Sequence, residues 1–481
     1  MDSQATQLLE RASALRLAGR TDEAIDAYKQ LLEREPDLPD SWYNLGWLLR
    51  QARRYDASLA AYRQALDRGV SEPEEVHLNQ AVILSDHLAR PEEAEVELRA
   101  AIALNPRYLP ALLNLGNLHE DRGNRNDAEA AYRSALDVAP GHRPALSRLA
   151  GVVDAQSQVG ADLVERLGRS LPSAQGAAER AGLGFALGRL LDARGEFEQA
   201  FATYEDANRA SRESFGRGFA AYDRAAHERL IDRLIASFVE PLSRTDGEDA
   251  PIFICGMFRS GSTLVEQILS SHSRVSSGGE LDLIPAIAAR IADYPEGVAD
   301  AGEAALSAWR RFYLDGVAPF ASGDCLITDK RPDNFLHIGL IKRLFPNAKI
   351  VHTHRNRLDN LLSLYFLHLD PRMSYALDLA DAANWYDQHE RLMAHWKRLY
   401  ADDILDVGYD QLVLSQKPVS ERLLEFIGLG WEDAVLDFHS REGAVKTASV
   451  WQVREPLHAR SSGRWLNYAE QLERTLGEPP A

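Results

Sequence analysis

The sequence predicts an all-α solenoid of stacked helical hairpins followed by an α/β, P-loop-like domain with a mainly parallel sheet. Three observations carry this expectation. A pattern of about 34 residues recurs along the first half of the chain. The second half opens with a continuous apolar run, a glycine-bounded loop and a stretch of helical periodicity. Further short apolar runs, at 325–328 and 349–353, then alternate with helical segments.

Length and composition agree with this. The 481 residues suffice for two or three folding units, and 45% apolar with 26% charged residues is the make-up of an ordinary globular protein. Lys and Arg number 54 against 72 Asp and Glu, a net charge of −18, and the surplus acid is spread along the chain. No basic half exists to neutralise a phosphate backbone, so nucleic acid is not an expected partner. Two cysteines, Cys255 and Cys325, provide neither a disulfide framework nor a zinc spacing, which favours a reducing compartment. No run approaches 18 apolar residues, and the first 20 residues mix charges into helical periodicity rather than forming a signal peptide. A cytoplasmic protein without membrane contact is expected.

In the first half, the segment from Arg20 through Ala24 and Tyr28 to Pro36 recurs from Arg54 with Tyr62. It recurs again from Arg90 with Ala94, Leu98 and Pro106, and from Arg125 with Ala128, Tyr132 and Pro140. Equivalent positions step from Asp22 to Asp56 (34), to Glu92 (36) and to Asn126 (34). Trp42, Leu45 and Gly46 have a counterpart in Leu113, Leu115 and Gly116. Small residues where helices touch, an aromatic filling the gap and a proline past the second helix are what stacked hairpins need. The pattern resembles the tetratricopeptide repeat. A degraded unit falls at about 141–175, and a clear one follows with Leu187, Gly188, Gly195, Ala200 and Tyr204. The array is placed at 1–212, a helical linker at 213–250 and the second domain at 251–481. Arrays of this kind bind peptides or partner proteins in a concave groove; here the surface could equally make a homodimer.

The run Ile252 to Cys255 suits a strand buried on both faces. Gly256 to Thr263 then forms a loop entering a helix, so that backbone N–H groups and the positive helix end surround one anion. Gly256 and Gly261 allow close backbone approach, and Ser260, Ser262 and Thr263 add hydroxyls. The spacing mimics a Walker A loop, but Ser262 stands where the lysine would be. Transfer of a γ-phosphoryl group is therefore disfavoured, and Arg259 becomes the loop's cation, its fork suited to a tetrahedral oxyanion.

From this loop onward, five separated blocks over about 251–468 resemble the sulfotransferases that use 3′-phosphoadenosine 5′-phosphosulfate (PAPS). The likeness is nearest to tyrosylprotein sulfotransferases and to bacterial proteins that fuse such a domain to tetratricopeptide repeats. The resemblance implies roles for the matching positions. In the block Ser277 to Asp282, Glu280 takes the place of the catalytic base. In Thr328 to Phe335, Lys330 is the residue that steadies the transferring sulfuryl group. Lysine is scarce in this chain, which makes one at this place mildly informative by itself. Arg355 and Ser363, eight apart, match the clamp on the donor's 3′-phosphate. Tyr409 and Ser449 match contacts to the nucleotide and its bridging oxygen, and Arg464 the basic residue that closes over the phosphates. Together with Arg259, Ser260, Gly261, Ser262 and Thr263 these would bind PAPS, leave its product PAP, and require no metal.

The chain also departs from the family pattern. Phe258 and Ser262 replace the usual Pro and Thr, and Arg331 stands where an apolar or acidic residue is commoner, which bears on acceptor preference. Arg357 is read as a surface cation pairing with Asp359. His352 and His354 alternate on one strand, but no third metal ligand is evident, so core histidines are expected.

The implied reaction is sulfuryl transfer from PAPS to an acceptor hydroxyl, with Glu280 as general base and Arg259, Lys330 and Ser449 stabilising charge. A phenol, with a pKa of about 10, loses its proton to a carboxylate more readily than an alkyl alcohol does. A protein or peptide tyrosine, presented by the repeat groove, is the favoured acceptor. A small-molecule phenol, a carbohydrate hydroxyl and an inactive binding scaffold are the alternatives.

Overall fold

The computed structural model describes residues 2–88, 90–242, 250–321, 323–440 and 457–477. These fall into two units, one ending at Ser157 and one beginning at Gln158. No helix among the described residues is long and apolar enough to cross a membrane.

The first unit is a succession of helical pairs, beginning with Ser3–Leu17 and Thr21–Arg34, then Pro39–Gln51 and Tyr55–Asp67. It continues through Pro73–Asp86 with Pro91–Leu104, and Leu109–Asp121 with Arg125–Val138, to Arg143–Val152. Prolines set the ends. Pro39, Pro73 and Pro91 open helices, where the missing N–H is not needed. Pro36, Pro106 and Pro140 each lie two residues beyond a helix end. Within a pair the contact is a glycine against a tyrosine ring. A Cβ added at Gly46 would lie 2.7 Å from the Tyr62 ring, and one at Gly116 2.3 Å from the Tyr132 ring. Both tyrosines are fully buried, with Ala24, Ala94 and Ala128 filling the equivalent small positions.

The second unit begins with more helices: Gln158–Ser170, the pair Ala177–Ala193 and Phe197–Ser214, and Arg224–Ser237. The pair repeats the same contact, Gly188 against Tyr204 with a Cβ distance of 2.9 Å. Its outer side meets the α/β part of the same unit: Tyr204 stacks on Phe366 at 4.1 Å and Asn208 Nδ2 donates to the carbonyl of Tyr365 at 2.9 Å. The segment 213–250, expected as a linker, contributes Ile231, Leu234 and Phe238 to the core around the sheet. Gly339 leaves room for Phe238, since a Cβ there would come within 2.5 Å of its ring.

Five parallel strands form the sheet: β1 (Ile252–Gly256), β2 (Val275–Ser277), β3 (Leu326–Lys330), β4 (Ile350–His354) and β5 (Ile404–Gly408), in the order β2-β3-β1-β4-β5. β1 is buried along its whole length, as its unbroken apolar run requires. Because the chain runs from β1 outward to both sides, the strand order reverses there. The carboxyl edge beside β1 is therefore where an open α/β sheet places its ligand.

Candidate active site

The loop after β1 occupies that edge. Gly256 has φ of +150°, and a Cβ there would lie 2.1 Å from the Thr353 carbonyl at the end of β4, so only glycine fits. Gly261, at φ of +100°, precedes the helix Ser262–Ser270, whose first turn no side chain caps. Ser262 and Thr263 open that helix, both buried. Ser260 has a different part from the one expected. Its hydroxyl donates to the Met257 carbonyl at 2.6 Å and pairs with Thr353 Oγ1 at 2.7 Å, bracing the loop against β4. Asn360 Nδ2 adds a second brace to the Phe258 carbonyl at 3.0 Å.

Arginines gather around this loop. Arg259 adopts φ of +70° and its Nε donates to Ser363 Oγ at 3.2 Å. Burial, reinforced by the charges of Arg355 and Arg464, pushes its guanidinium down to about 10. Arg355 follows β4, is 7% exposed and lies over the Tyr409 ring at 4.8 Å, while its Nη2 donates to the Ser461 carbonyl. Its Nε, buried, has no partner among the described residues. Burial also lowers Arg355, against the pull of Asp359, Tyr409 and Asp410. Thus Arg259, Arg355, Ser363 and Tyr409 come together, with Ser363 bonded to Arg259. Arg464 is committed elsewhere: its Nη2 lies 2.6 Å from Asp192 Oδ2 and its guanidinium 5.1 Å over the Phe366 ring. A carboxylate of the helical hairpin therefore meets its charge, while that charge is still felt by Arg259.

The second cluster sits at the carboxyl ends of β2 and β3. Lys330 Nζ meets Glu280 Oε1 at 2.6 Å; the lysine side chain is 1% exposed and the glutamate 44%. A buried ammonium thus faces a carboxylate that solvent, and an acceptor, can reach. Beside it Arg331 pairs with Asp282 and Asp333, so its charge is already balanced. Asp329, the residue before the lysine, is fully buried and accepts from Tyr313 Oη at 2.8 Å and Asn334 Nδ2 at 3.1 Å. Burial pushes its carboxyl up to about 7. Ser449 lies outside the described residues.

Some expectations change and some groups went unread. Arg357 pairs with Asp387, at 3.1 Å. Asp359 is buried and accepts from the backbone N–H of Gly463 and Trp465, tying the tail to the helix Arg357–Tyr365. His352 is fully buried, bonded to Asp406 at 2.6 Å and to His389 Nε2 at 3.0 Å, and burial lowers it to about 4. His389 and Glu390 complete a group of three possible ligand residues within 4.8 Å of one another, where the sequence had offered no third. Glu266 was also passed over, one apolar-flanked acid in a helix with no motif to flag it. A glutamate at 3% exposure is itself a signal, but one that only burial reveals.

A glycine-bounded loop thus enters a helix start at the switch point of a parallel sheet, with Arg259 and Arg355 beside it and Ser262 at the place of a Walker lysine. Residues 251–433 match the Sulfotransferase family, and residues 9–73 and 111–144 match the tetratricopeptide repeat. The chain thus joins segments that match the tetratricopeptide repeat to a segment that matches the Sulfotransferase family. It is 36% identical over 312 residues to an uncharacterised protein of Aquifex aeolicus, covering 61% of this chain and 40% of that one. It is 25% identical over 239 residues to Protein-tyrosine sulfotransferase 2 of Gallus gallus, covering 45% of this chain and 63% of that one. The chain accordingly spans less than two thirds of the length of these relatives. Among solved structures, the sulfotransferase domain from the Synechococcus PCC 7002 olefin synthase aligns at a TM-score of 0.34 and 21% identity, over 50% of this chain and all of that one.

Proposed function

We propose that the protein transfers a sulfuryl group from PAPS to an acceptor hydroxyl by in-line displacement, and that the acceptor is a tyrosine of a protein or peptide. The observation that carries this reading is the Glu280–Lys330 pair, 2.6 Å apart and reachable from solvent only on the glutamate side. Sulfuryl transfer asks for little covalent chemistry from the protein; it asks for a proton acceptor on the attacking oxygen and fixed positive charge where negative charge grows. Glu280 takes the acceptor's proton, a contribution of roughly 10²–10⁴ in rate. Lys330, already desolvated, stabilises the sulfuryl oxygens without reorganising.

The donor's phosphates suit the residues on the other side of the loop. Arg259, Arg355 and the uncapped helix start at Ser262 and Thr263 offer donors only, and the unpartnered Nε of Arg355 is such a donor in waiting. Tyr409 holds the Arg355 guanidinium from below. The relatives named as protein-tyrosine sulfotransferases and the partner-binding habit of tetratricopeptide repeats support a protein acceptor.

The test is transfer of labelled sulfate from PAPS into a cell lysate, with Glu280→Ala alongside. We expect label in protein, a loss of turnover by roughly 10²–10⁴ in the variant, and unchanged binding of PAP to it. Near-normal turnover would remove Glu280 as the base. Label confined to small molecules would move the acceptor to that class, and equal binding of a nucleotide lacking the 3′-phosphate would unseat Arg355.

A further inference from the structure

Glu266 lies on the inner side of the helix Ser262–Ser270, 3% exposed, facing β2 and β3 rather than the anion loop. Its Oε1 accepts from the backbone N–H of Gly279 at 3.0 Å and from Thr328 Oγ1 at 2.9 Å. Gly279 is the residue before Glu280 and is held at φ of +68°, and its carbonyl accepts from the N–H of Lys330 at 2.9 Å. Gly279, which leads into Glu280, is thus gripped on both sides, its N–H by the Glu266 carboxylate and its carbonyl by the Lys330 N–H. One buried carboxylate thereby fixes three things to each other: the helix that follows the anion loop, the turn that presents Glu280, and the strand that ends in Lys330.

We infer that Glu266 is a positioning residue for the proposed transfer: it ties the turn that carries Glu280 to the strand that ends in Lys330 and to the helix after the anion loop. This rests on the sulfotransfer reading, and the two can be separated. Glu266→Ala removes both the tie and the charge; Glu266→Gln keeps an oxygen for Gly279 and Thr328 and removes the charge alone. Amide hydrogen exchange over 275–281 reads the tie without any reference to activity, and steady-state kinetics with PAPS read its consequence.

In Glu266→Ala we expect faster exchange over 275–281 and a fall in kcat of about a hundredfold, the cost of a misplacement near 1 Å. The KM for PAPS and the affinity for PAP should stay within about twofold. In Glu266→Gln, which keeps the tie, exchange should match the wild type and kcat should stay within about threefold of it. Wild-type exchange in the alanine variant, a kcat in the glutamine variant as low as in the alanine variant, or a rise in KM for PAPS matching the loss of kcat would each overturn the inference. Thermal melts of both variants keep unfolding from being mistaken for any of these. A wild-type chain that transfers no sulfate would sink the functional reading and leave the exchange result standing.

Discussion

Asp329 lies one residue before the lysine of the candidate site, buried between Tyr313 and Asn334. Its carboxyl, pushed up to about 7 by burial, is protonated in the folded chain and ionised in the unfolded chain between about pH 4 and 7. In that window the unfolded state binds fewer protons, so stability present below pH 4 is lost as pH rises through 7. A difference of 7 − 3.8 = 3.2 units corresponds to roughly 4 kcal/mol at most. Asp329→Asn keeps the size and removes the titration. It should flatten the stability profile between pH 4 and 7 and raise stability at pH 8 by up to that amount, as urea melts at pH 5 and 8 would show. Identical pH slopes for variant and wild type would refute the assignment. At this scale the sequence was most informative where a motif binds identity to place: Arg259, Glu280, Lys330 and Arg355 all lie at the carboxyl edge. It misled where direction depends on a distant partner. The Ser260 hydroxyl turns inward because Thr353, 93 residues on, offers it a bond. Arg464 takes Asp192, 272 residues before it, as an ion-pair partner.

Among the elements, the helical pairs owe their packing to a glycine and a tyrosine 16 residues apart, seen at Gly46 and Tyr62, Gly116 and Tyr132, and Gly188 and Tyr204. In a helix, replacing glycine by alanine ordinarily gains about 1 kcal/mol. At Gly116 the new methyl would fall 2.3 Å from a buried ring, and overpacking of that kind costs about 1–3 kcal/mol. Gly116→Ala should therefore destabilise the first unit. Gly151→Ala, where the nearest atom lies 3.9 Å away, should leave it unchanged or firmer. Denaturant midpoints of the two variants decide this, and a stabilised Gly116→Ala would mean that the tyrosine yields without cost. These pairs were legible because the spacing is local and repeated. Strands β1, β3 and β4 were legible for the same reason, as short apolar runs. The short β2, three residues long, carries no such signal and forms because β3 offers it a partner.

For the molecule as a whole, a repeat-like sequence does not fix which unit a hairpin joins. The pair Ala177–Ala193 and Phe197–Ser214 has the same internal packing as its predecessors, yet Tyr204, Phe201 and Asn208 face Phe366, Tyr365 and Tyr468 of the sulfotransferase-family unit. The following helix supplies Ile231 and Leu234 to the core around the sheet. A chain starting at residue 158 should accordingly give one cooperative thermal transition and bind PAP. A chain starting at residue 251 would lose those partners, expose the aromatic faces of Tyr365, Phe366 and Tyr468, and aggregate. Soluble, cooperative folding of the shorter chain would show the hairpin to be an ornament.

The Asp192–Arg464 contact spans 272 positions and closes beside the arginines that surround the anion loop. During synthesis, Asp192 leaves the ribosome long before its counterpart has been made. The contact can form only once the chain has been made through Arg464. A ribosome stalled before position 464 therefore holds a hairpin whose Asp192 still waits for this partner.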